Sequence, residues 1–269
     1  RTSPFAFTGN KFELRAVGSS ANCALPMTVL NTIVAEQLQI FKVSVDARIK
    51  SGNSKDEAIL KELQSLITQC KDIRFEGNGY GEEWLKEAKK RGLSNLKDTP
   101  EALAVWGRKE VIDLFEKMNV LHPAETSARQ DVEYEKYVMN RKIEANVAID
   151  MARNTILPAA VSYQNILLEN ILGIEEAFGK KGKSMTVAQR DILKRTSALV
   201  NDLYASILLL RENKEKVNAM KSTAKIAEGY GKIILPITEE LGEICTKMEG
   251  LIDNEIWPLP KFQELLFTR

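Results

Sequence analysis

The sequence is poor in the residue types that build most metal and covalent sites. Its 269 residues include one histidine and three cysteines, and Cys23, Cys70 and Cys245 are far apart, with no Cys-x-x-Cys spacing. This spacing is typical of reduced thiols in a cytosolic protein rather than of a disulfide framework or a zinc site. The histidine, His122, precedes a proline at a predicted helix boundary, and we expect it to be a loop residue rather than a catalytic base.

The sequence also lacks an excess of charge of one sign and any long apolar run. Its 38 basic side chains are balanced by 37 acidic ones, for a net charge of +1. This balance excludes a nucleic-acid binder that works by bulk charge. No apolar run approaches the roughly 18 residues of a membrane span. We therefore expect neither a nucleic-acid partner nor a membrane-spanning segment.

The composition that remains is that of an ordinary folded protein. Hydrophobic residues make up 44% of the sequence and charged residues 28%, which is too apolar for a disordered chain. The chain opens with Arg1-Thr2-Ser3-Pro4, without a methionine, a signal peptide or a transit peptide. Because its first residues already carry a structured pattern, we expect it to be part of a longer polypeptide.

The first fifty residues predict a strand and a helix. Alternation over residues 11–17 favours a short strand whose Phe12, Leu14 and Ala16 would face a core. A broad apolar face then predicts a helix from about Met27 to Lys50, with Pro26 in its first turn. Gly52, between Ser51 and Asn53, should end that helix.

After residue 50 almost every pattern is helical. The helix starts are predicted at four positions: Ser54, with Glu57 completing a capping box, Thr99, Ser127 and Thr186. The glycine-rich segment 75–81 lacks the Lys-Ser/Thr pair of a phosphate-binding loop, so we interpret it as a structural turn. The charged residues on the helix that follows it, residues 82–91, are interpreted as a solvated face.

Two long stretches predict the arms of an antiparallel helical hairpin. The first arm covers residues 126–178, with a kink at Pro158, and a polar turn at residues 179–183 leads into the second arm. Alanines at helical spacing in the first arm, such as Ala145 and Ala152, would let another helix approach closely. A further helix is predicted over residues 232–253, interrupted near Pro236.

Glu13 and Arg15 are the residues of the first strand that could carry chemistry. Residues two apart on a strand point to the same face. A surface salt bridge, worth about 0–1 kcal/mol, is one interpretation. The other is a metal and phosphate pair, since carboxylate oxygens suit Mg²⁺ or Mn²⁺ and arginine binds phosphate, with Arg1 as a second guanidinium. Spacing alone leaves both interpretations open.

Several separated segments resemble glutamine synthetase, specifically the large type III form. The matching segments are RTSPFAF (1–7), NKFELRAVGSS (10–20), TVLNTIVA (28–35), FEGNGY (75–80), KIEA (142–145), ILPAAV (156–161) and WPLP (257–260). The resemblance extends over nearly the whole chain. It implies a mainly α fold, in which a short strand and helix end the catalytic domain over residues 1–50. A helical C-terminal extension, built around a long hairpin or bundle, would follow over residues 51–269.

The resemblance also implies an activity. Glutamate would be phosphorylated by ATP to γ-glutamyl phosphate, from which ammonia displaces phosphate to give glutamine. Glu13 matches the metal-binding glutamate of this family, and Arg15 matches the arginine that contacts the transferring phosphoryl group. Arg1 matches an arginine that contacts nucleotide phosphates and substrate. Mg²⁺ or Mn²⁺, a cytoplasmic location and a double-ring homo-oligomer are implied as well.

Two departures from the family pattern stand out. Ala6 lies where many members have a further arginine, which we interpret as a feature of the type III form, and Met27 lies where this form often has asparagine. The other metal ligands and the ammonium-site residues would lie upstream of Arg1, so we expect the isolated 269 residues to be inactive. Two alternatives stay open: a non-enzymatic helical scaffold derived from the family, and a related carboxylate–amine ligase.

Overall fold

A computed structural model describes residues 5–15 and 21–267 of the chain. The chain is 77% helical, which confirms the expected mainly α fold. The strands and α-helices are, in order, β1 (Phe5–Phe7), β2 (Phe12–Leu14), α1 (Ala24–Lys50), α2 (Lys55–Gln69), α3 (Glu82–Lys90), α4 (Thr99–Ala104), α5 (Lys109–Lys117), α6 (Pro123–Met151), α7 (Leu157–Phe178), α8 (Gly182–Met185), α9 (Val187–Asn218), α10 (Thr223–Gly229), α11 (Leu235–Glu249) and α12 (Phe262–Leu265). Short 3₁₀ turns cover Cys70–Ile73, Val105–Gly107 and Gly179–Lys181, and π-helical turns cover Ala152–Ile156 and Tyr230–Ile234.

The chain divides into two compact units, Arg1–Gln130 and Asp131–Arg269. Helix α6 begins in the first unit and continues into the second. The predicted boundary after residue 50, between the catalytic domain and its helical extension, stays a prediction. It divides the chain by function, whereas the two units divide it by compactness.

In the first unit, α1 packs against α2 and α5. The turn between α1 and α2 contains Gly52 at a φ of 101°, a conformation that glycine adopts without strain. Arg48 Nε of α1 donates to Glu62 Oε2 of α2 at 2.9 Å, and the Glu62 side chain is buried. The predicted helix and its end are therefore confirmed.

The hairpin formed by β1 and β2 corrects one expectation. Phe12 and Leu14 are exposed rather than facing a core, and Phe12 is 62% exposed. The Phe12 ring stacks on Phe5 at a centroid distance of 5.2 Å. A two-stranded sheet is too small to cover its own apolar side chains. Ala16, assigned to the same face, lies outside the described residues.

The helix starts follow local hydrogen bonding. The Ser54–Glu57 capping box is present at the start of α2, as predicted. The cap of α4 is Asp98, whose carboxylate accepts from the Glu101 N–H at 2.7 Å, so Thr99 is one residue too late.

The start of α6 differs from the prediction. This helix begins at Pro123 rather than at Ser127, because proline suits the first helical position. The His122 N–H in front of it donates to Glu125 Oε2 at 2.7 Å. His122 is exposed at this boundary.

The second unit contains the predicted hairpin. Gln189 of α9 donates to Asn170 of α7 at 3.3 Å, close to the connecting turn. Farther from the turn, Gln164 of α7 donates to Ser197 of α9 at 2.7 Å. Because residue numbers fall along α7 as they rise along α9, the two arms are antiparallel.

A π-helical turn precedes each of the two prolines, Pro158 and Pro236, that lie within long helices of the second unit. The Leu157 N–H bonds to the Ala152 carbonyl, and Pro158 follows. In the same way the Leu235 N–H bonds to the Tyr230 carbonyl, and Pro236 follows. Proline has no N–H and its ring clashes with the carbonyl four residues back, so the helix widens there by one residue. The predicted interruptions near both prolines are confirmed, and each interruption is a single π-helical turn.

One hydrophobic core holds the second unit together. Helix α9 lies at its centre, packed against both α7 and α11. The buried residues of this core are Ala145, Ala152, Ile156, Ala160, Leu203, Ile207, Leu210, Val217, Tyr230, Ile234, Leu241, Ile244, Met248, Ile252 and Trp257. Within the described ranges, no helix is both long and apolar enough to cross a membrane.

Candidate functional site

The β1–β2 hairpin presents Glu13 at the centre of its second strand. The strands are antiparallel, with Ala6 opposite Glu13 and Phe7 opposite Phe12. The Thr8 N–H donates to the Lys11 carbonyl at 2.8 Å across the turn. This short closed turn fixes the register, and so fixes which residue faces Glu13.

Glu13 and Arg15 are in direct contact. Arg15 Nη2 donates to Glu13 Oε2 at 3.2 Å, and Lys11 Nζ lies 3.8 Å from Glu13 Oε1. The Glu13 carboxylate is about three quarters buried, with 24% of its side chain exposed. The same-face placement predicted from the spacing of two is therefore present. The carboxylate and the guanidinium are the donor types that a divalent cation and a phosphate group require.

The residue opposite Glu13 is small. Directly paired residues of an antiparallel sheet have Cβ atoms about 4.5–5.5 Å apart. Ala6 occupies that place, and it is the position where the family resemblance puts an arginine in many other members. The Ala6 methyl group adds no guanidinium to the face that carries Glu13.

The third candidate residue, Arg1, lies outside the described residues, so its distance from Glu13 stays a prediction. Within residues 5–15 and 21–267, no group of three histidine, cysteine, aspartate or glutamate side chains could hold a metal ion. Glu13 accordingly offers one carboxylate ligand in this part of the chain.

The three cysteines are free thiols, with Cys23 and Cys70 exposed, and burial raises the pKa of the Cys245 thiol.

The glycine-rich segment 75–81 forms a structural turn. Asn78 Oδ1 accepts from the Tyr80 N–H at 3.1 Å, and the Asn78 carbonyl accepts from the Gly81 N–H at 3.0 Å. Gly81 then caps the start of α3. The turn is organised by its own hydrogen bonds, as its sequence predicts.

Sequence reasoning missed the residues around this turn. Arg91 was expected on a solvated helix face, yet its Nη1 donates to the Arg74 carbonyl at 2.8 Å and to the Asp72 carbonyl at 3.2 Å. Its guanidinium also lies over the ring of Trp84, 5.5 Å from the centroid. The expected pairing with Glu87 is present at 2.8 Å. Contacts to residues 17 and 19 positions away leave no periodic signal in a sequence.

Comparison with known proteins matches the chain to glutamine synthetases. Residues 58–175 match the glutamine synthetase C-terminal domain. The chain is 42% identical over 270 residues to a glutamine synthetase of Bacteroides fragilis (strain YCH46). It is 34% identical over 275 residues to a type-3 glutamine synthetase of Dictyostelium discoideum, and 30% identical over 271 residues to a glutamine synthetase of Butyrivibrio fibrisolvens.

Each of these alignments covers the whole of this chain and 37% of the relative. The resemblance to glutamine synthetase and its type III form is therefore confirmed. The chain spans about 37% of the length of the curated relatives that it matches.

Proposed function

We propose that this chain, a homologue of glutamine synthetases along its whole length, is part of a glutamate–ammonia ligase. The reaction is the conversion of ATP, glutamate and ammonia to glutamine, ADP and phosphate through γ-glutamyl phosphate. Residues 1–50 would end the catalytic domain, and residues 51–269 would form its helical extension. By the same family relation the enzyme would be a cytoplasmic homo-oligomer, of double-ring form, in glutamine biosynthesis.

One structural observation supports this proposal most strongly: α1 carries a broad apolar face, yet most of that face is exposed. Only Thr32 and Val45 of its 27 residues are buried. Leu38 is 62% exposed and Val43 is 68% exposed. An exposed apolar surface of this extent usually marks a contact with another part of the protein. A catalytic domain of which residues 1–50 are only the end would supply the missing cover.

The exposed hairpin agrees with this interpretation. Phe5, Phe7, Phe12 and Leu14 are all exposed, and aromatic side chains of this size usually lie in cores or interfaces. The hairpin and α1 therefore both carry apolar side chains that nothing else in the described residues covers. Adjacent strands of a larger catalytic sheet would cover these side chains and place Glu13 at the site.

Glu13 and Arg15 would each have a role suited to their chemistry. The Glu13 carboxylate would hold Mg²⁺ or Mn²⁺, which when bound neutralises charge on the phosphates of ATP. Arg15 uses one Nη group on Glu13, and a guanidinium has five N–H donors, so others can hold the oxygens of the transferring phosphoryl group. Arg1 would contact the nucleotide phosphates. Phosphoryl transfer depends mostly on such positioning and charge neutralisation.

The test begins with the native polypeptide purified from its source. Its intact mass is measured first and compared with 30.2 kDa, and glutamine formation from ATP, glutamate and ammonia is then assayed. We expect Glu13→Gln and Arg15→Gln to lower kcat by roughly 10²–10³-fold. Asn10→Asp, which changes a charge at the turn of the same hairpin, should retain most of the activity.

A dependence on metal concentration separates the two roles. Glu13→Gln should raise the Mg²⁺ concentration needed for half-maximal rate, whereas Arg15→Gln should leave it nearly unchanged. The 269-residue chain by itself should give no turnover, because the resemblance assigns only three site residues to it. A native polypeptide of about 30 kDa without synthetase activity would favour the helical scaffold and overturn the proposal. Turnover with an amine other than ammonia would favour the related ligase.

A further inference from the structure

One lysine lies in the buried stripe of α9. The stripe repeats at spacings of three and four residues, and its members are Leu203, Ile207, Leu210, Lys214 and Val217. The four apolar members are at most 1% exposed, whereas Lys214 is partly buried. Residues at this spacing share one face of a helix, and a lysine stem can lie along an apolar surface while its amine reaches water. Lys214 therefore holds its amine at the edge of the hydrophobic core of the second unit.

A neutral partner fixes the position of the Lys214 amine. Lys214 Nζ donates to Asn146 Oδ1 of α6, and Ala145, the residue before Asn146, is fully buried. An amide oxygen accepts this hydrogen bond without adding a negative charge. Lys216, two residues later on α9, differs because its Nζ lies 2.7 Å from a carboxylate oxygen of Glu212, and an opposite charge favours the protonated amine. The two lysines thus have different electrostatic surroundings on one helix.

Two cations lie beside the Lys214 amine. Arg211 precedes Lys214 by three residues on α9, and Lys142 precedes Asn146 by four residues on α6, so each is a neighbour on the helix surface. In the part of the chain that the structure describes, neither cation forms an ion pair with a carboxylate. Burial, and then the charges of Arg211 and Lys142, lower the pKa of the Lys214 amine from its ordinary value of 10.5, and the Glu215 carboxylate opposes them. More of this amine is therefore neutral than in an ordinary lysine, and the neutral amine is the nucleophile.

We propose that Lys214 is a modification site, at which an acyl phosphate acylates Nζ. The Nζ lone pair attacks the carbonyl carbon of the donor, the N–C bond forms, and the bond between that carbon and the phosphate oxygen breaks. Inorganic phosphate leaves and takes up the proton that Nζ gives up. Arg211 and Lys142 bind the phosphate oxygens of the donor, because charge-assisted hydrogen bonds to phosphate are strong. The inference does not depend on synthetase activity, since it uses no residue of the hairpin that carries Glu13.

The modification removes a charge that its surroundings disfavour. A positive charge at a position of the buried stripe is opposed by desolvation and by like charges. The amide product is neutral, so two cations remain where the unmodified chain has three. The folded chain should therefore accept the acyl group without loss of stability.

The test is acetylation of the folded 269-residue chain with acetyl phosphate, stopped at low conversion. The remaining amines are then labelled with isotopic acetic anhydride under denaturing conditions, and mass spectrometry of peptides gives the extent of reaction at each lysine. We expect Lys214 to react at least about fivefold faster than Lys216, because more of its amine is neutral and its neighbours bind the donor. In urea the two rates should become similar, since the contact with α6 is lost.

Variants locate the reaction at the two cations. Arg211→Gln and Lys142→Gln should each slow the acetylation of Lys214 by about three- to tenfold. Both side chains are exposed, so these variants should melt like the parent chain. Arg195→Gln removes the same charge from the same helix and should leave the Lys214 rate unchanged, because Arg195 pairs with Asp191 instead.

A neutral donor separates the two effects of the cations. p-Nitrophenyl acetate carries no phosphate, so Arg211→Gln should slow its reaction with Lys214 less than it slows the reaction with acetyl phosphate. Equal slowing with both donors would exclude the contact with phosphate and overturn the acyl phosphate as donor. A Lys214 rate no higher than that of Lys216, a preference that persists in urea, or an equal effect of Arg195→Gln would overturn the modification site itself.

Discussion

Gly182 shows how a single missing side chain lets two helices meet. A Cβ added there would lie 2.6 Å from the Glu175 Cα and 2.9 Å from the Ile174 carbonyl oxygen. These are backbone atoms of α7, which cannot move aside cheaply. Gly173, also in α7, has nothing within 4 Å of an added Cβ.

The two glycines therefore predict opposite effects of the same substitution. Gly182→Ala should lower the free energy of unfolding by roughly 1–3 kcal/mol, because the turn must shift away from α7. Gly173→Ala should raise it by roughly 0.5–1 kcal/mol, since alanine is the better helix former. Urea unfolding curves measure both changes, and a neutral Gly182→Ala would contradict the close approach.

The capping box of α2 predicts a dependence on pH. The Ser54 backbone N–H and then its hydroxyl hold the pKa of Glu57 below the ordinary value of 4.5. Because the pKa of Glu57 is lower in the folded state than in the unfolded state, its ionised carboxylate stabilises the fold at pH values above the unfolded-state pKa. This stabilisation is lost as the pH falls through the folded-state pKa. The Glu57 contribution should therefore be complete near neutral pH and disappear below about pH 4.5.

Ser54→Ala tests this dependence. The pKa of Glu57, followed by NMR titration of its side-chain carboxyl carbon, should rise only part of the way toward its ordinary value, because the backbone N–H of residue 54 remains in the variant. The difference in stability between Ser54→Ala and the parent chain should shrink as the pH is lowered through the acid range. Ser65→Ala, later in the same helix, should leave the Glu57 pKa in place. A Glu57 titration that is equal in both variants would exclude a contribution of the Ser54 hydroxyl to the Glu57 pKa.

Residues whose partners lie a few positions away were the ones that the sequence could predict. The capping box and the same-face contact of Glu13 with Arg15 both depend on local spacing, and both are present. The role of Arg91 and the close approach of Gly182 depend on chain segments brought together by folding. Local propensity carries no signal for such contacts.

The alanine-rich stripe of α6 is a property of a whole helix. Ala145 of α6, and Ala152 in the π turn that directly follows it, are almost completely buried in the core of the second unit. Val147, on the same helix, is 50% exposed. The small side chains at the buried positions leave room for neighbouring helices to pack closely.

Lysine substitution distinguishes the two faces of α6. Ala145→Lys should destabilise the chain by about 3 kcal/mol or more, because an unpaired charge and extra volume enter the core. Val147→Lys should change stability by less than about 1 kcal/mol. Thermal unfolding monitored by circular dichroism measures the difference, and equal melting temperatures would show that the stripe is not buried.

The π turn before Pro158 predicts an unusual tolerance of deletion. A π turn is equivalent to one residue inserted into an α-helix, so deleting Thr155 should restore a regular helix with α6 and α7 in register. Pro158 would then lie inside that helix, at a cost of about 3 kcal/mol. Combining the deletion with Pro158→Ala should recover this cost.

A deletion elsewhere serves as the control. Removing Glu144, also with Pro158→Ala, rotates the rest of α6 by about 100° relative to the residues before it and should unfold the second unit. Melting temperatures and heteronuclear NMR spectra compare the variants. If the Thr155 and Glu144 deletions were equally damaging, the π turn would not be an inserted residue.

Helices were predicted more fully than their ends. Periodicity and proline identified the hairpin arms and both interruptions, because each signal repeats over many residues. The start of α6 was placed at Ser127 instead of Pro123, since a serine followed by a helical pattern resembles a cap. The contacts of Pro123 and Glu125 at the helix start outweighed that propensity.

At the scale of the whole molecule, the apolar side chains of the hairpin and of α1 lie largely uncovered. Only Thr32 and Val45 of α1 are buried, although the helix carries a broad apolar face. The relatives are longer, and this chain spans 37% of their length. The two facts have one explanation if these side chains are covered by the rest of a synthetase subunit.

This explanation predicts that one substitution has different effects in two contexts. Leu38→Glu should change the stability of the 269-residue chain by no more than about 0.5 kcal/mol, because Leu38 is already exposed there. In the native polypeptide the same change would bury a carboxylate without a partner, which costs several kcal/mol. Gln37→Glu, which adds the same charge at the neighbouring position of α1, is the comparison variant.

The measurements are the melting temperatures of the chain and of the native polypeptide, together with the synthetase rate of the native polypeptide. Equal tolerance in both contexts would mean that α1 stays exposed, and the catalytic-domain assignment of residues 1–50 would be wrong. Selective loss of stability and rate in the native polypeptide would identify α1 as buried there.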